Sequence, residues 1–492
     1  MQQRFSKSRW LSRLNSQIVA AMLAVSVSAP AFAVLAGTAP TGGYITDSQG
    51  RALILHGLNT SSYSKNRADG MPQVTATDIA AENAGLGTNA VRLLIFWGLV
   101  EPAPGVYDDA YLANVATRVN WYQAAGMHVL LDMHQDLYGP AVTMQPGSVN
   151  GAPAWATYTD GLPYTPQSNF ALGYLQPGEM RAWDNFWGTT GTHPELRTHY
   201  AAAWRHVAAY FAANDAIIGY DLMNEPWGGS LQSATFEPTV LLATYQAVIN
   251  QIRSVDADRW IFVEPSAFPI NQGLPTTLPK PSDPRVGGPR IVYAPHLYPP
   301  TLETYSATGS YTGLNVIPIN LLLTTWTTLN TTTAALWNAP LAIGEFGAIN
   351  YTAPGNTGYV DKIVGMADDI GASWFWWSND HGATGPYQGN GVFNGLAPYL
   401  SRPYVQAVAG TPQRLDFDPA SGRLLAQFAN KAGVTGTTDF FLSPTVYPNG
   451  YTVTTTDPAG TWSASYDTAR HVLSITADPA SVNHSYTITP VP

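Results

Sequence analysis

The 492-residue sequence contains no cysteine, has few charges, and its 33 acidic residues outnumber the 23 Lys and Arg. Each shortage excludes something. Without cysteine there are no disulfides, so the protein must be held by its core, which a chain of this length can supply. Charged residues make up only 11% and the net charge is −10. That balance argues against nucleic acid, whose phosphates demand a basic surface, and against electrostatic docking on anionic lipid. No strand-like run leads into a glycine-rich phosphate turn, which disfavours a doubly wound nucleotide-binding sheet. No histidine pair has zinc spacing with supporting ligands, so neither a metal nor a cofactor is expected. Beyond the N-terminus no run is long and apolar enough to span a bilayer. Aromatic residues, by contrast, reach 12%, with 15 Trp and 26 Tyr. This suits a protein that handles sugars, because pyranose faces stack on such rings.

The N-terminus has a basic region (Arg4, Lys7, Arg9, Arg13), a short apolar core (Ile18 to Val27) and a small-x-small site at Ala31-Phe32-Ala33. That is the pattern of a secretory signal peptide over 1–33, cut near Ala33. It places the mature protein outside the cell or held at the envelope.

Two apolar runs that stop on glutamate organise the remainder. Ile217 to Met223 ends in Asn224-Glu225-Pro226, and Leu341-Ala342-Ile343-Gly344 ends in Glu345. Buried parallel strands read as continuous apolar runs, and in a barrel the reactive groups sit at strand ends. Eight such strands are expected, at Ala52–Leu55 running into His56-Gly57-Leu58-Asn59, Ala90–Ile95, His128–Asp132, Ile217–Met223, Trp260–Glu264, Ile291–Pro295, Leu341–Gly347 and Ser373–Trp377. Helical patterns or long loops alternate with them, which predicts a (β/α)8 barrel over 34–408. From 409 to 492 short alternating runs separated by turns predict a small antiparallel β-sandwich. Three loops are long: Met133–Thr192, Pro265–Arg290 and Pro299–Pro318. They carry exposed-looking Leu172, Tyr174, Leu175, Leu274, Leu278, Leu302 and Leu314, which could line an apolar groove or pack beneath their own loops.

Two carboxyls facing across a cleft are the minimum equipment for cleaving a glycosidic bond. Glu225 is the candidate acid/base and Glu345 the candidate nucleophile. Arg92, the one charge in an apolar strand, needs a buried carboxylate, either Glu345 or Asp221. His134 and Asp136 follow a strand and could bind sugar hydroxyls, though His134 equally reads as a satisfied buried histidine. His296 and Tyr298 point to one side, two residues apart; Tyr298 could serve the nucleophile or be a core aromatic, and His296 could tune the acid. Of Trp374, Trp376 and Trp377, at least one is expected to floor the sugar site.

These residues resemble the family-5 glycoside hydrolases: His56-Gly57-Leu58-Asn59, Arg92, Asn224-Glu225-Pro226, His296-x-Tyr298 and Gly344-Glu345-Phe346-Gly347. The longer strings Asp132-Met133-His134-Gln135-Asp136, Gly151-Ala152-Pro153-Ala154-Trp155-Ala156 and Ala294-Pro295-His296-Leu297-Tyr298-Pro299 are similar to the endoglycoceramidases within that family. The resemblance implies retaining hydrolysis of the bond between an oligosaccharide and ceramide, a glycosphingolipid substrate and transient contact with membranes or micelles. It also implies Asn224 on the sugar 2-hydroxyl, Lys65 and His134 on glycan hydroxyls, and Trp377 as the floor. Two positions depart from the pattern. Trp376-Trp377-Ser378 stands where the group has Tyr-Trp-Ser, so either tryptophan could be the floor, and Phe170 stands where a Trp would contact glycan. An endoglucanase or mannanase with the same carboxyls and a polar trench is the rival enzyme, and a non-catalytic carbohydrate-binding barrel the rival of another class.

Overall fold

The computed structural model describes residues 39–40, 42–167, 170–298, 319–347, 356–382 and 384–492. The expected signal peptide and the loop at 299–318 lie outside them. Strands β1 (Ile45–Thr46) and β2 (Ala52–Leu53) form an antiparallel hairpin. Eight parallel strands follow: β3 (His56–Asn59), β4 (Ala90–Ile95), β5 (His128–Met133), β6 (Ile217–Asp221), β7 (Trp260–Val263), β8 (Ile291–Tyr293), β9 (Ala342–Gly347) and β10 (Ser373–Trp377). They neighbour one another in chain order, with β10 between β3 and β9. Two parallel bridges, Tyr293 to Leu341 and Leu297 to Phe346, join the remaining edges. The result is a (β/α)8 barrel, as expected.

Helix Ala76–Leu86 shows how local sequence sets an element. The Thr75 side chain accepts from the Asp78 backbone N–H while the Asp78 carboxylate accepts from the Thr75 N–H, and Gly87 ends the helix at φ +72°. These are a capping box and a left-handed C-terminal stop. The barrel interior is layered. Ala90, Leu130, Phe262 and Ala294 belong to its apolar lower core. The residues two further along, Arg92, Asp132, Glu264 and His296, are buried polar groups at the upper end. Side chains recur on one strand face every second residue, so each strand stacks a charge above its apolar plug.

A small hairpin, β11 (Tyr387–Gly389) with β12 (Val392–Phe393), precedes the C-terminal sandwich. One sheet runs β14 (Thr411–Asp418), β15 (Arg423–Ala429), β20 (Asn483–Pro490), β17 (Tyr451–Thr455). The other contains β13 (Tyr404–Val408), β16 (Thr438–Phe441), β19 (Val472–Thr476) and β18 (Ser463–Asp467), and it is completed by β1 and β2. The expected boundary at 408/409 therefore cuts a sheet. Leu53 pairs with Ala407 and Ala52 with Val408, so the N-terminal hairpin and β13 belong to the sandwich. A lone two-stranded hairpin is only marginally stable and needs a partner edge, which sequence alternation alone does not name.

The first long loop is also more ordered than its aperiodic sequence suggested. It holds helix Pro177–Trp187, with Pro at its start, left-handed Gly188 at its end, and Trp183, Phe186 and Trp187 buried.

Candidate active site

The upper interior of the barrel is built around one guanidinium. Arg92 has no exposed surface and meets four carboxylates: Asp132 at 3.0 Å, Asp221 at 2.9 Å, Glu264 at 2.8 Å and Glu345 at 2.8 Å. It also donates to Asn59 Oδ1 (2.9 Å) and Asn224 Oδ1 (3.0 Å). Burial opposes its charge, but the four carboxylates outweigh burial and hold its pKa well above the ordinary value. Asp221 moves the other way. Burial and the Glu264 charge raise its pKa, and Arg92 pulls it back only in part. Both partners weighed for Arg92 are thus present, along with two more.

Glu225 and Glu345 come together at the barrel mouth. A carboxylate oxygen of each and a ring nitrogen of His296 lie within 4.8 Å of one another. His296 Nδ1 is 2.9 Å from Glu225 Oε1 and 3.7 Å from Glu345 Oε2, and its Nε2 is 3.1 Å from Glu264 Oε1. Burial alone would lower the His296 pKa. The charges of Glu264 and Glu345, with the contacts to Glu225 and Glu264, instead hold it well above the ordinary value. Tyr298 donates its hydroxyl to Glu345 Oε2 at 3.0 Å. Burial raises the Glu345 carboxyl, while His296 and Arg92 oppose that rise. Asn271 Nδ2 donates to Glu225 Oε1 at 2.8 Å, and Glu225 itself sits at φ +43°. For a residue other than glycine that left-handed conformation is strained.

Strand geometry explains how Glu345 faces inward. Trp374 pairs with Ile343 but Trp376 pairs with Phe346, so β9 carries one extra residue at Gly344-Glu345. Such a bulge re-aims a side chain beside it.

A second polar cluster adjoins the first. Lys65 forms an ion pair with Asp136, and its Nζ lies 4.2 Å from the centre of the Trp377 ring. The His134 ring stacks on Trp377, with centroids 5.3 Å apart and planes 12° from parallel. His134 Nδ1 contacts Asp132 at 2.7 Å, and Nε2 lies 3.4 Å from Asp136. Burial and Lys65 depress the His134 pKa, but the two aspartates outweigh them and raise it. Lys65 and His134 together hold Asp136 well below the carboxylate range against its burial. Asn150 Nδ2 also donates to Asp136, at 2.9 Å.

The structure narrows three readings. Trp376 has no exposed surface and its indole N–H donates to Thr384 O, so it cannot floor a sugar site. On β10 the even-numbered Trp374 and Trp376 face the helix layer, and only Trp377 is turned to the cleft and partly exposed. Asn224 is buried with its side chain engaged by Arg92 and by Gln135 O. Leu278 is buried in the main apolar core, whereas Leu175 is exposed. The Phe170 side chain, Leu302 and Leu314 lie outside the described residues; the backbone of Phe170 opens the short helix Phe170–Gly173. Asn271, Asp132 and Glu264 were not singled out from the sequence. Glu264 carried the same mark as the two candidates, a glutamate terminating the apolar run Trp260-Ile261-Phe262-Val263.

An aromatic row stands near Glu225, whose charge reaches Tyr174 and which Trp227 follows by two residues. Tyr174 lies 5.5 Å from Trp227, and Trp227 lies 6.4 Å from Phe268, which is 42% exposed.

The family model for cellulase (glycosyl hydrolase family 5) matches residues 46–383, and that for the glycoside hydrolase family 5 C-terminal domain matches 402–489. Endoglycoceramidase I of Rhodococcus hoagii (strain 103S) is 32% identical over 423 residues, spanning 84% of this chain and 81% of that protein. Two solved structures of endo-glycoceramidase II from Rhodococcus sp. superpose on most of the fold. The ganglioside GM3 complex gives a TM-score of 0.84 at 44% identity, over 91% of this chain and 99% of that one. The lactosyl-enzyme intermediate gives 0.82 at 45% identity, over 91% and 100%.

Proposed function

We propose that this chain, which belongs to glycosyl hydrolase family 5, is a retaining glycosidase that cleaves the bond between an oligosaccharide and ceramide. The observation that carries the reading is the approach of the Glu225 and Glu345 carboxyls to within 4.8 Å at the ends of apolar strands. Retaining glycosidases hold their carboxyls about 5–5.5 Å apart, and inverting ones about 6.5–9.5 Å to admit a water.

In the first step Glu345 attacks the anomeric carbon as the bond to the ceramide oxygen breaks. Glu225 gives its proton to that oxygen. A water then attacks the glycosyl-enzyme bond, returns a proton to Glu225 and frees Glu345, so the configuration is inverted twice and retained. Arg92 and the Tyr298 hydroxyl support the ionised nucleophile. Trp377 floors the sugar, and Lys65, His134 and Asp136 bind its hydroxyls. The aglycone leaves on the side of its proton donor, where Tyr174, Trp227 and Phe268 offer an apolar path; a soluble polysaccharide would want polar contacts there. The N-terminal basic and apolar pattern supports export, with cleavage near Ala33 and release or retention at the envelope.

Ganglioside and carboxymethylcellulose, offered in parallel, test this. Intact oligosaccharide of retained anomeric configuration and free ceramide are expected from the first, with little depolymerisation of the second. Glu225→Gln should lower the ganglioside rate by about 10²–10⁴-fold, the usual contribution of general acid–base catalysis. Faster cleavage of the cellulose, with no free oligosaccharide from the ganglioside, would replace the ceramide assignment with the polysaccharide one.

A further inference from the structure

Glu264 lies outside the acid–nucleophile pair, yet it touches Glu225, Arg92 and His296 at once. Oε2 accepts from the backbone N–H of Glu225 at 2.8 Å. Oε1 meets Arg92 Nη2 at 2.8 Å and His296 Nε2 at 3.1 Å, the latter off the line of a good hydrogen bond and so held chiefly by charge. Its own backbone carbonyl accepts the Tyr245 hydroxyl at 2.9 Å, which anchors the residue from the helix layer.

These contacts have two consequences. Glu225 occupies a left-handed conformation, which persists only where surrounding contacts enforce it. The bond from its N–H to Glu264 is such a contact. The second concerns a proton. A ring nitrogen facing a carboxylate must carry hydrogen, because a lone pair there would meet like charge. With Nε2 protonated toward Glu264, Nδ1 is left facing Glu225 Oε1 at 2.9 Å. There it accepts from protonated Glu225 or, as imidazolium, donates to the ionised form. In both states one proton is shared between His296 and the residue that must deliver it.

We propose that Glu264 is a positioning residue for proton delivery by Glu225: its carboxylate fixes the backbone from which Glu225 projects and directs the His296 proton to Nε2. The proposal rests on Glu225 being the acid/base. His296 faces Glu225, Glu264 and Glu345; Glu264 in turn faces Arg92, which is shared with Asp132, Asp221 and Glu345. Removing the Glu264 charge therefore leaves the shared proton less tightly held.

The test uses the full-length enzyme and Glu264→Gln. On a glycosyl-ceramide, kcat should fall by about 100-fold, the low end for acid–base catalysis, with KM changed by less than about threefold. On a dinitrophenyl lactoside, whose leaving group needs no proton, the first step should fall by less than about tenfold. The alkaline limb of kcat/KM should move to lower pH by about one unit. Equal losses on both substrates with an unmoved limb would reduce Glu264 to a structural role and overturn the proposal. Nitrogen-15 spectra of the histidine-labelled wild-type enzyme give a second reading, which decides alone if the glutamine variant does not fold. His296 should carry its proton on Nε2, and a bare Nε2 with a protonated Nδ1 would overturn the assignment. Glu225→Ala separates the two levels. Wild-type turnover in that variant removes the acid/base reading, whereas an inactive Glu225→Ala beside a fully active Glu264→Gln removes only the role of Glu264.

Discussion

A guanidinium with no exposed surface is tolerable only while its partners are in place. Around Arg92 the count is four carboxylates to one arginine, and burial, joined by that imbalance, raises the pKa of Asp221. One acid of the group can keep its proton and still leave Glu345 its ion pair. Breaking a buried pair by removing one partner costs about 3–5 kcal/mol, because the remaining charges are left uncompensated. Arg92→Met should lose stability on that scale at neutral pH, read as a shift of the denaturant midpoint at constant slope. A shift below about 1 kcal/mol would mean that the acids simply take up protons. The need of Arg92 for an acid was legible from its place as the one charge in Ala90–Ile95. Its full set of partners was not, because Asp132, Asp221, Glu264 and Glu345 are scattered over more than 200 residues and meet only when the barrel closes.

Elements were legible wherever an apolar period was bracketed by stop signals. β4 and β10 fall where the apolar runs place them. What escaped is what depends on a neighbouring element. The one-residue bulge in β9 is defined only against β10, and the choice between Trp376 and Trp377 follows from which face of β10 looks inward. Helix Pro177–Trp187 escaped for another reason: the Gly- and Pro-rich surroundings masked a short helix buried on three aromatic rings. That helix carries Glu179, fully buried, whose carboxyl is pushed up to about 8 by desolvation, with a partial offset from the Trp183 indole bond at 2.9 Å. A carboxyl raised in the folded state leaves full stability below its unfolded pKa and withdraws it as pH rises toward the folded one. Stability should therefore fall between about pH 4.5 and 8, by at most about 1.4 kcal/mol per unit. Glu179→Gln should flatten that slope in a series of melting curves across this range. An unchanged slope would assign the loss to other raised acids, of which Glu82 and Asp368, both near 7, are the candidates.

At the scale of the whole molecule, the sandwich is bound into the barrel at both ends of the chain. The hairpin β1–β2 leaves the N-terminus of the barrel and completes a sheet whose other strands come from the last 90 residues. Phe441 of β16 presses on Gly87, where an added Cβ would lie only 2.2 Å from the ring. Tyr404 donates to Gly87 O at 2.7 Å, and its ring stacks on His56 at the foot of β3. The sandwich is therefore a continuation of the barrel floor. Removing 409–492 would strip β16 from β13, leaving it only β2, and expose Ala52, Ile54, Tyr404, Val405 and Val408, all now buried in the apolar core of the sandwich. At about 1.5–3 kcal/mol for each large apolar side chain, the loss should lower the melting temperature by ~10 °C or more, or leave the barrel insoluble. Near-ultraviolet circular dichroism with limited proteolysis would read this. A truncated barrel that melts like the full chain would show that the junction carries no stability and that the boundary at 408/409 separates independent domains.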